Sequence, residues 1–300
     1  MKSLLFIGGT GFLGQSFFDY IKDGKLKNLK LRKIIVVSRK KKKIKCKIST
    51  KFIKSNISSL KKLPITDYII YAANSSNYAE NIKGIKNFNK LLNESHKKTK
   101  ILFTSSGAVY GKTSVKKRLR ETDKISIKKI NNLDGYKKNY AKSKVLIENE
   151  FIKFGKKGFN VSIARLFTFI GRKILINNNF AVTNLLNQAW DPKLDKITLS
   201  SKNDVYRGYM NSNDLIRWII KILINSNSNC NIYNVGSDES VTINKLAKLI
   251  SYKFKKHIDF KKPNISAKNL DYYVPSVKKA KKILKLKIKY NLKQSLNELY

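Results

Sequence analysis

The chain has 300 residues, with 64 lysines and arginines against 19 aspartates and glutamates, which gives a formal net charge of +45. Paired lysines occur all along the chain and arginine, the better base reader, is scarce, so this charge is typical of an AT-rich genome and not of a dedicated nucleic-acid surface. Two distant cysteines and two isolated histidines argue against a disulfide framework and a metal site.

The apolar segments are all short. None approaches the roughly 18 consecutive apolar residues of a membrane span. We therefore expect a cytoplasmic protein without membrane contact, whose basic surface attracts anionic substrates.

The chain opens on a buried strand, a glycine-rich turn and a helix. Leu4–Ile7 is short and apolar throughout, as in a strand buried in a parallel sheet. Gly8, Gly11 and Gly14 allow a tight turn, let backbone N–H groups approach a pyrophosphate, and let the helix pack closely on the strand. Glycines alone often mark only a tight turn. The strand before them and the helix after them favour a dinucleotide site at the helix N-terminus.

A second strand covers residues 33–39 and ends in Ser38 and Arg39. In a dinucleotide fold an acid at this strand end accepts the ribose 2′-hydroxyl of NAD, whereas an arginine suits the 2′-phosphate of NADP. No acid is present here, which predicts a preference for NADP over NAD. The alternative is that Arg39 belongs to a solvated turn.

Further strands and helices alternate up to residue 167. A strand at 51–57 places Asn56 and Ile57 beside an adenine, and one at 67–74 ends in Ala72 and Ala73, which are small enough to admit a cofactor. The remaining predicted elements are a helix at 81–95, a strand at 101–106, a basic loop at 112–139, a helix from 140 and a strand at 158–167. This alternation specifies an α/β fold with a doubly wound parallel sheet, an NAD(P)-binding Rossmann domain over 1–170.

The pattern loosens after residue 170. We expect a smaller C-terminal substrate-binding cap domain over 171–300, with a stretch near 205–235 that could return to the Rossmann domain. Its predicted helices lie at 181–190, 213–224, 243–254 and 276–284, and its predicted strands at 196–200 and 231–236.

Tyr140 and Lys144 are four residues apart on a predicted helix and therefore share one face. A tyrosine that ionises near neutral pH needs its pKa lowered by about three units, roughly 4 kcal/mol. A cation about 4 Å away contributes about 4 kcal/mol at an effective dielectric of about 20, so Lys144 and a positive nicotinamide ring together could meet this need. Ser106, at the strand end, would hydrogen-bond the reacting oxygen. The alternative is an ordinary surface pair on a helix.

With these motifs in place, the chain resembles an extended short-chain dehydrogenase/reductase of the NAD-dependent epimerase/dehydratase family, whose members act on nucleotide-sugars. The resemblance rests on the loop at 8–14, the strand end at 103–111 and the Tyr-x-x-x-Lys motif at 140–144. Later landmarks include Arg165-Leu166-Phe167, Arg207-Gly208-Tyr209 and Tyr273-Val274-Pro275.

The resemblance implies a nucleotide-sugar 4-epimerase or 4-ketoreductase with Ser106, Tyr140 and Lys144 as catalytic residues. It implies substrate contacts by Ser106, Asn179 and Arg207, a nucleotide-sugar as partner, and leaves a homodimer open. The implied residues for NADP or NAD are Gly8, Thr10, Gly11, Phe12, Leu13, Gly14, Ser38, Arg39, Asn56, Ile57, Ala72, Ala73, Tyr140, Lys144 and Phe167.

The chain also departs from the family pattern. Gly107-Ala108 stands where 4,6-dehydratases carry Asp-Glu, so dehydration is not expected. Thr168 replaces an asparagine near the sugar, and an arginine that often clamps the diphosphate is missing around Asp271. An alternative function from another class is an atypical member that binds nucleic acid or regulates, for which the +45 charge is the motivation.

Overall fold

The computed structural model describes residues 2–26, 29–42, 44, 46–173, 181–199, 204–260 and 270–299. Its strands are β1 Lys2–Ile7, β2 Leu31–Ser38, β3 Ser49–Lys54, β4 Tyr68–Tyr71, β5 Lys100–Ser106, β6 Asn160–Leu166, β7 Phe169–Ile170, β8 Lys196–Leu199, β9 Asp204–Arg207, β10 Met210–Asn211, β11 Asn231–Val235, β12 Val241–Thr242, β13 His257–Phe260 and β14 Leu270–Tyr273. Its α-helices are α1 Phe12–Lys22, α2 Tyr78–Leu91, α3 Ile127–Asn131, α4 Gly135–Lys156, α5 Ala181–Trp190, α6 Ser212–Ile224, α7 Ile243–Phe254, α8 Lys278–Leu284 and α9 Leu292–Asn297. Short 3₁₀ turns lie at Ile57–Ser59, Glu94–His96 and Gly107–Tyr110.

The chain folds into two compact units, each described by itself. The first unit comprises Met1–Gly111, Ile125–Leu166 and Ile216–Tyr233. The second unit comprises Lys112–Lys124, Phe167–Leu215 and Asn234–Tyr300. The assignment of substrate binding to a cap domain over 171–300 stays a prediction.

A seven-stranded sheet with the order β11-β6-β5-β4-β1-β2-β3 organises the first unit. Strands β1 to β6 pair in parallel throughout. The chain builds outward from β1 to β3, then returns to place β4 on the other side of β1. The predicted doubly wound, Rossmann-like sheet is thereby confirmed, and ligands of such sheets bind at the carboxyl ends of the strands where the order reverses.

The strands form because their apolar runs are buried on both faces of the sheet. Residues 4–7 of β1 have no exposed surface. On one side, Tyr71 and Phe103 from the sheet pack edge-on or stacked against Phe151 of α4, which also stacks on Phe88 of α2. This aromatic cluster fixes α4 against β5, and α4 carries the predicted Tyr-x-x-x-Lys motif.

Several predicted boundaries are wrong; the helix predicted at 81–95, for example, is α2, Tyr78–Leu91. Two of the wrong boundaries lie next to predicted site residues. Instead of a loop up to residue 139, the structure has α3, capped by the Ser126 hydroxyl and anchored by buried Ile130, and then α4 from Gly135. A five-residue helix is too short to show a helical period, which is why α3 escaped prediction. The strand predicted to reach Ile57 ends at Lys54, because Asn56 accepts a hydrogen bond from the Ser58 N–H and starts a 3₁₀ turn.

The second unit is made of small sheets and amphipathic helices. β9 lies between β12, which is antiparallel to it, and β14, which is parallel. β8 pairs with β13 and β7 with β10, both in parallel. Across the described ranges of the chain, no helix is both long and apolar enough to cross a membrane.

Candidate active site

The turn after β1 has the geometry of a phosphate cradle. Gly8 has a φ of +83°, and a Cβ there would lie 2.7 Å from the backbone nitrogen of Ala73, so only glycine fits. A Cβ on Gly14 would overlap the Gly9 carbonyl oxygen, which shows how closely α1 packs on the turn. The N-cap of α1 is Gly11, which contributes no side-chain cap. The arrangement therefore presents the positive end of the helix dipole without a side chain in front of it, as an anion requires.

A cavity of about 300 Å³ opens beside this turn at the carboxyl ends of β1, β2 and β4. The predicted cofactor residues on its lining are Gly8, Thr10, Gly11, Ser38, Arg39, Asn56, Ile57, Ala72 and Ala73. Phe12, Leu13, Gly14, Tyr140 and Lys144 do not line it. The structure thus gathers residues from four predicted motifs into one pocket, in agreement with a dinucleotide's adenosine half.

The end of β2 shapes one wall of the cavity. Thr10 and Ser38 share a hydrogen bond of 2.5 Å between their hydroxyls, and Arg39 follows as an exposed side chain on the lining. Lys42 donates to the Gln15 side chain on α1. This wall therefore carries hydroxyl groups and a cation.

The cavity lining also contains a carboxylate that sequence reasoning missed. Glu80, in the first turn of α2, accepts a 2.9 Å hydrogen bond from the Asn56 amide and lines the cavity. Asn56 and Glu80 are 24 residues apart, so no local pattern links them. An amide and a carboxylate together suit the amino group of an adenine.

Ser106 and Tyr140 meet at the carboxyl end of β5. The Ser106 hydroxyl is buried, accepts from the Ala108 N–H at 3.2 Å, and lies beside the Tyr140 hydroxyl. The Tyr140 side chain is partly exposed, and the protein around its hydroxyl displaces part of the water. This desolvation raises the pKa of Tyr140, and the Ser106 hydroxyl offsets only part of the rise. Tyr140 holds its proton at neutral pH.

Lys144 is buried beneath this pair, with 3% of its surface exposed. Its ammonium donates to the Thr104 carbonyl at 3.1 Å and lies 5.4 Å from the centroid of the Tyr140 ring. Burial lowers the pKa of Lys144 to about 8, although the Glu148 carboxylate opposes the fall. Lys144 is therefore a cation that titrates, in contrast to the fixed charge that the sequence argument assumed.

One helical turn beyond Lys144, Glu148 forms a buried ion pair with Arg165 of β6. The guanidinium donates to Glu148 through Nε at 3.0 Å and through a terminal nitrogen at 2.8 Å, and its other terminal nitrogen donates to the Tyr110 hydroxyl at 2.9 Å. Ser105 donates to the same carboxylate at 2.5 Å. Glu148 thus ties α4 to both β5 and β6 next to the predicted catalytic residues.

The second unit contains two further predicted site residues. The ring of Phe167, which is buried, packs 4.7 Å from the ring of Tyr273, and the Arg207 guanidinium lies 5.4 Å from the same ring. Arg207 donates to the Asp271 carboxylate at 2.6 Å. Tyr273, which the sequence named only as a landmark, and Asp271, which it named only as a departure from the family pattern, are therefore further site candidates. The predicted substrate residue Asn179 lies outside the described residues.

A scan against protein families matches residues 4–236 to the NAD dependent epimerase/dehydratase family. The chain belongs to this family. Membership confirms the predicted resemblance and the prediction of a nicotinamide cofactor, since the family description names NAD. The glycine cradle and the adjoining cavity fit such a dinucleotide. No curated protein sequence matches the chain.

Several solved structures have an architecture similar to that of this chain. The dTDP-glucose 4,6-dehydratase of Bacillus anthracis, in complex with NAD, has a TM-score of 0.78 at 18% identity over 100% of this chain and 95% of that chain. The UDP-glucose 4-epimerase of Thermotoga maritima, with UDP-glucose, has a TM-score of 0.73 at 18% identity over 99% of this chain and 96% of that chain. MoeE5, in complex with UDP-glucose and NAD, has a TM-score of 0.76 at 14% identity over 99% and 97%. Identities this low establish the shared fold alone.

Proposed function

We propose that this chain is a nucleotide-sugar 4-epimerase or 4-ketoreductase, with Tyr140 as its acid/base. The observation that carries the proposal is the meeting of Ser106, Tyr140 and Lys144 at the carboxyl end of β5, with the Ser106 and Tyr140 hydroxyls side by side and the Lys144 ammonium beside the Tyr140 ring. The ligands of the structural neighbours, UDP-glucose among them, support a nucleotide-sugar as the substrate class.

Each side chain has a separate task. The Tyr140 hydroxyl exchanges a proton with the oxygen on the reacting sugar carbon, and Ser106 hydrogen-bonds to that oxygen. While the Lys144 amine is protonated, its positive charge stabilises the Tyr140 phenolate. Because Tyr140 is a neutral phenol in this structure, donation of a proton is its resting capability, and acceptance requires more positive charge nearby.

A bound nicotinamide supplies the hydride acceptor or donor and, when oxidised, that additional positive charge. The residues that would hold the dinucleotide are the Gly8–Gly14 turn, the Ser38–Arg39 strand end and the Asn56–Glu80 wall. Ser106 is followed by Gly107 and Ala108, which offer no carboxyl group for removing water. Hydride transfer without dehydration is therefore the reaction proposed.

For the cofactor we propose NADP in preference to NAD. Support comes from the end of β2, where Ser38 and Arg39 line the cavity and neither is acidic. An arginine guanidinium forms charge-assisted bonds to a phosphate, which NADP has at the ribose 2′ position and NAD lacks.

The test is a screen of UDP-, dTDP-, GDP- and CDP-sugars with NAD and NADP. An epimerase forms the sugar isomer with no net change in nicotinamide absorbance, whereas a reductase consumes the reduced cofactor stoichiometrically. Conversion of at least one nucleotide-sugar supports the proposal. No conversion of any of them, together with tight, sequence-selective RNA or DNA binding at physiological salt, would replace it with a nucleic-acid role.

A further inference from the structure

The buried Glu148–Arg165 pair has no part in the proton exchange proposed above, yet it lies directly behind the residues that do. Lys144 and Glu148 are one helical turn apart on α4, and they bind consecutive residues of β5. Lys144 donates to the Thr104 carbonyl, and Glu148 accepts from the Ser105 hydroxyl. Ser106 is the next residue along the strand.

The charges of Lys144, Glu148 and Arg165 explain why their placement behind Ser106 and Tyr140 matters. Lys144 and Arg165 are both buried cations, Arg165 is ion-paired with the carboxylate of Glu148, and Lys144 is one helical turn from it. An ammonium taken out of water tends to lose its proton unless an anion compensates it. Arg165 cannot lose its proton, so a competition for Glu148 would be decided at Lys144.

The groups that face this cluster come from every packed element. They are Tyr140 on α4, the Thr104 carbonyl and Ser105 on β5, Arg165 on β6, Tyr110 on the 3₁₀ turn that follows β5, and the Cys230 thiol, whose pKa burial and Glu148 raise to about 12. Glu148 is the carboxylate among them. Because the neutral thiol and hydroxyls add no charge near pH 8, Glu148 is the charge that raises the pKa of Lys144, and Arg165 is the cation paired with that same carboxylate.

We infer that Glu148 is a positioning residue that keeps the buried Lys144 ammonium protonated and fixed to β5, with Arg165 as an opposing cation that limits its effect. The inference rests on the proposed function for its catalytic meaning. Its physical content concerns Lys144 alone. With Tyr140 ionised, Tyr140, Lys144, Glu148 and Arg165 would sum to zero charge, so the cluster carries one positive charge ready for a phenolate.

The test measures Lys144 directly, with no substrate or cofactor. The full-length protein is labelled with lysine carrying ¹³C at Cε, and the Lys144 resonance is the one absent from Lys144→Met. Its NMR titration midpoint in the wild type is expected near pH 8. In Glu148→Gln the midpoint should fall by about one unit or more, a tenfold change in the proton equilibrium. In Arg165→Met it should rise.

A merely structural ion pair would not shift the Lys144 midpoint in opposite directions in Glu148→Gln and Arg165→Met, because the loss of packing would be the same in both variants. Ser105→Ala removes a hydrogen bond to Glu148 but no charge, so its midpoint should stay close to the wild-type value. The Lys144 midpoint of the double variant Glu148→Gln/Arg165→Met should lie between those of the single variants. If Glu148→Gln alone does not fold, the double variant replaces it and is compared with Arg165→Met.

A midpoint that is unchanged or higher in Glu148→Gln, or lower in Arg165→Met, overturns the inference. If Glu148→Gln does not fold, the inference is overturned when the Lys144 midpoint of the double variant is equal to or above that of Arg165→Met. The nucleotide-sugar screen can fail without affecting this titration. A failure of the proposed function and a failure of the inference are therefore distinguishable.

Discussion

Arg165 and Arg207 each pair with a carboxylate, but their surroundings differ. The Arg165–Glu148 side chains are 4% and 2% exposed, and the guanidinium uses all three of its nitrogens on Glu148 and Tyr110. The Arg207–Asp271 side chains are 23% and 35% exposed. One terminal nitrogen of Arg207 donates hydrogen bonds to the backbone carbonyls of Tyr206 and Asp271.

The difference separates a structural anchor from a ligand site. A buried pair cannot lose one partner without leaving an uncompensated charge, so Arg165 is committed to Glu148. A partly exposed pair is screened by water and can exchange partners at small cost, so we expect Arg207 to be able to turn to an incoming phosphate. The first pair lies behind the residues that we propose as catalytic, and the second contains the arginine that we predict as a substrate contact.

The largest effect is expected at the hydroxyl that the anchored region supports. Tyr140→Phe deletes one oxygen and keeps the ring, so turnover should fall by about 10² to 10⁴, the usual contribution of a positioned acid or base. Dinucleotide binding, measured by fluorescence titration, should change little. Tyr136→Phe, at an exposed position one turn earlier on α4, is the matched control and should keep wild-type turnover.

The same substitution at Arg165 and at Arg207 tests whether the first arginine is a structural anchor and the second a ligand contact. Arg165→Met leaves Glu148 buried without its counterion and should lower the free energy of unfolding by about 3–5 kcal/mol. Arg207→Met should lower it by about 1 kcal/mol or less but weaken nucleotide-sugar binding. Urea denaturation and isothermal titration measure the two quantities. Equal losses of stability would contradict the distinction between anchor and ligand site.

The depressed pKa of Lys144 predicts a pH dependence of stability. Between pH 8, near its folded pKa, and its ordinary value of 10.5, the unfolded chain holds a proton that the folded chain has released. Stability contributed by this group therefore rises with pH across that window, by about 3 kcal/mol in total. The unfolding free energy of the wild type minus that of Lys144→Met should show this rise.

The smallest effect is expected at the rim of the cofactor cavity. Arg39→Ala should weaken NADP binding about tenfold, the lower range for a hydrogen bond to a charged group, because Arg39 is exposed. NAD binding should hardly change. Lys40→Ala, next in sequence but off the cavity lining, should leave both affinities intact. Equal losses for the two dinucleotides, or a wild-type preference for NAD, would mean that Arg39 is only a turn residue.

The parts of the molecule that were readable from sequence share a local cause. Continuous apolar runs such as Leu4–Ile7 predict buried strands, and the glycine spacing and Tyr140–Lys144 spacing are fixed by turn and helix geometry. The missed features depend on distant partners. Glu148 pairs with a residue 17 positions away and Asp271 with one 64 positions away, and no periodicity reports such contacts. The titration of Lys144 was missed for a related reason, since burial depth is a property of the packed structure.

The most direct test of the proposed C4 chemistry is to follow deuterium by proton NMR, from C4 of the nucleotide-sugar for an epimerase and from C4 of the reduced nicotinamide for a ketoreductase. We expect the deuterium at C4 of the epimer in the first case and at C4 of the reduced sugar in the second, and we expect Tyr140→Phe to slow whichever transfer occurs. A product formed without transfer of deuterium to or from the nicotinamide, or equal rates for the wild type and Tyr140→Phe, would contradict this chemistry.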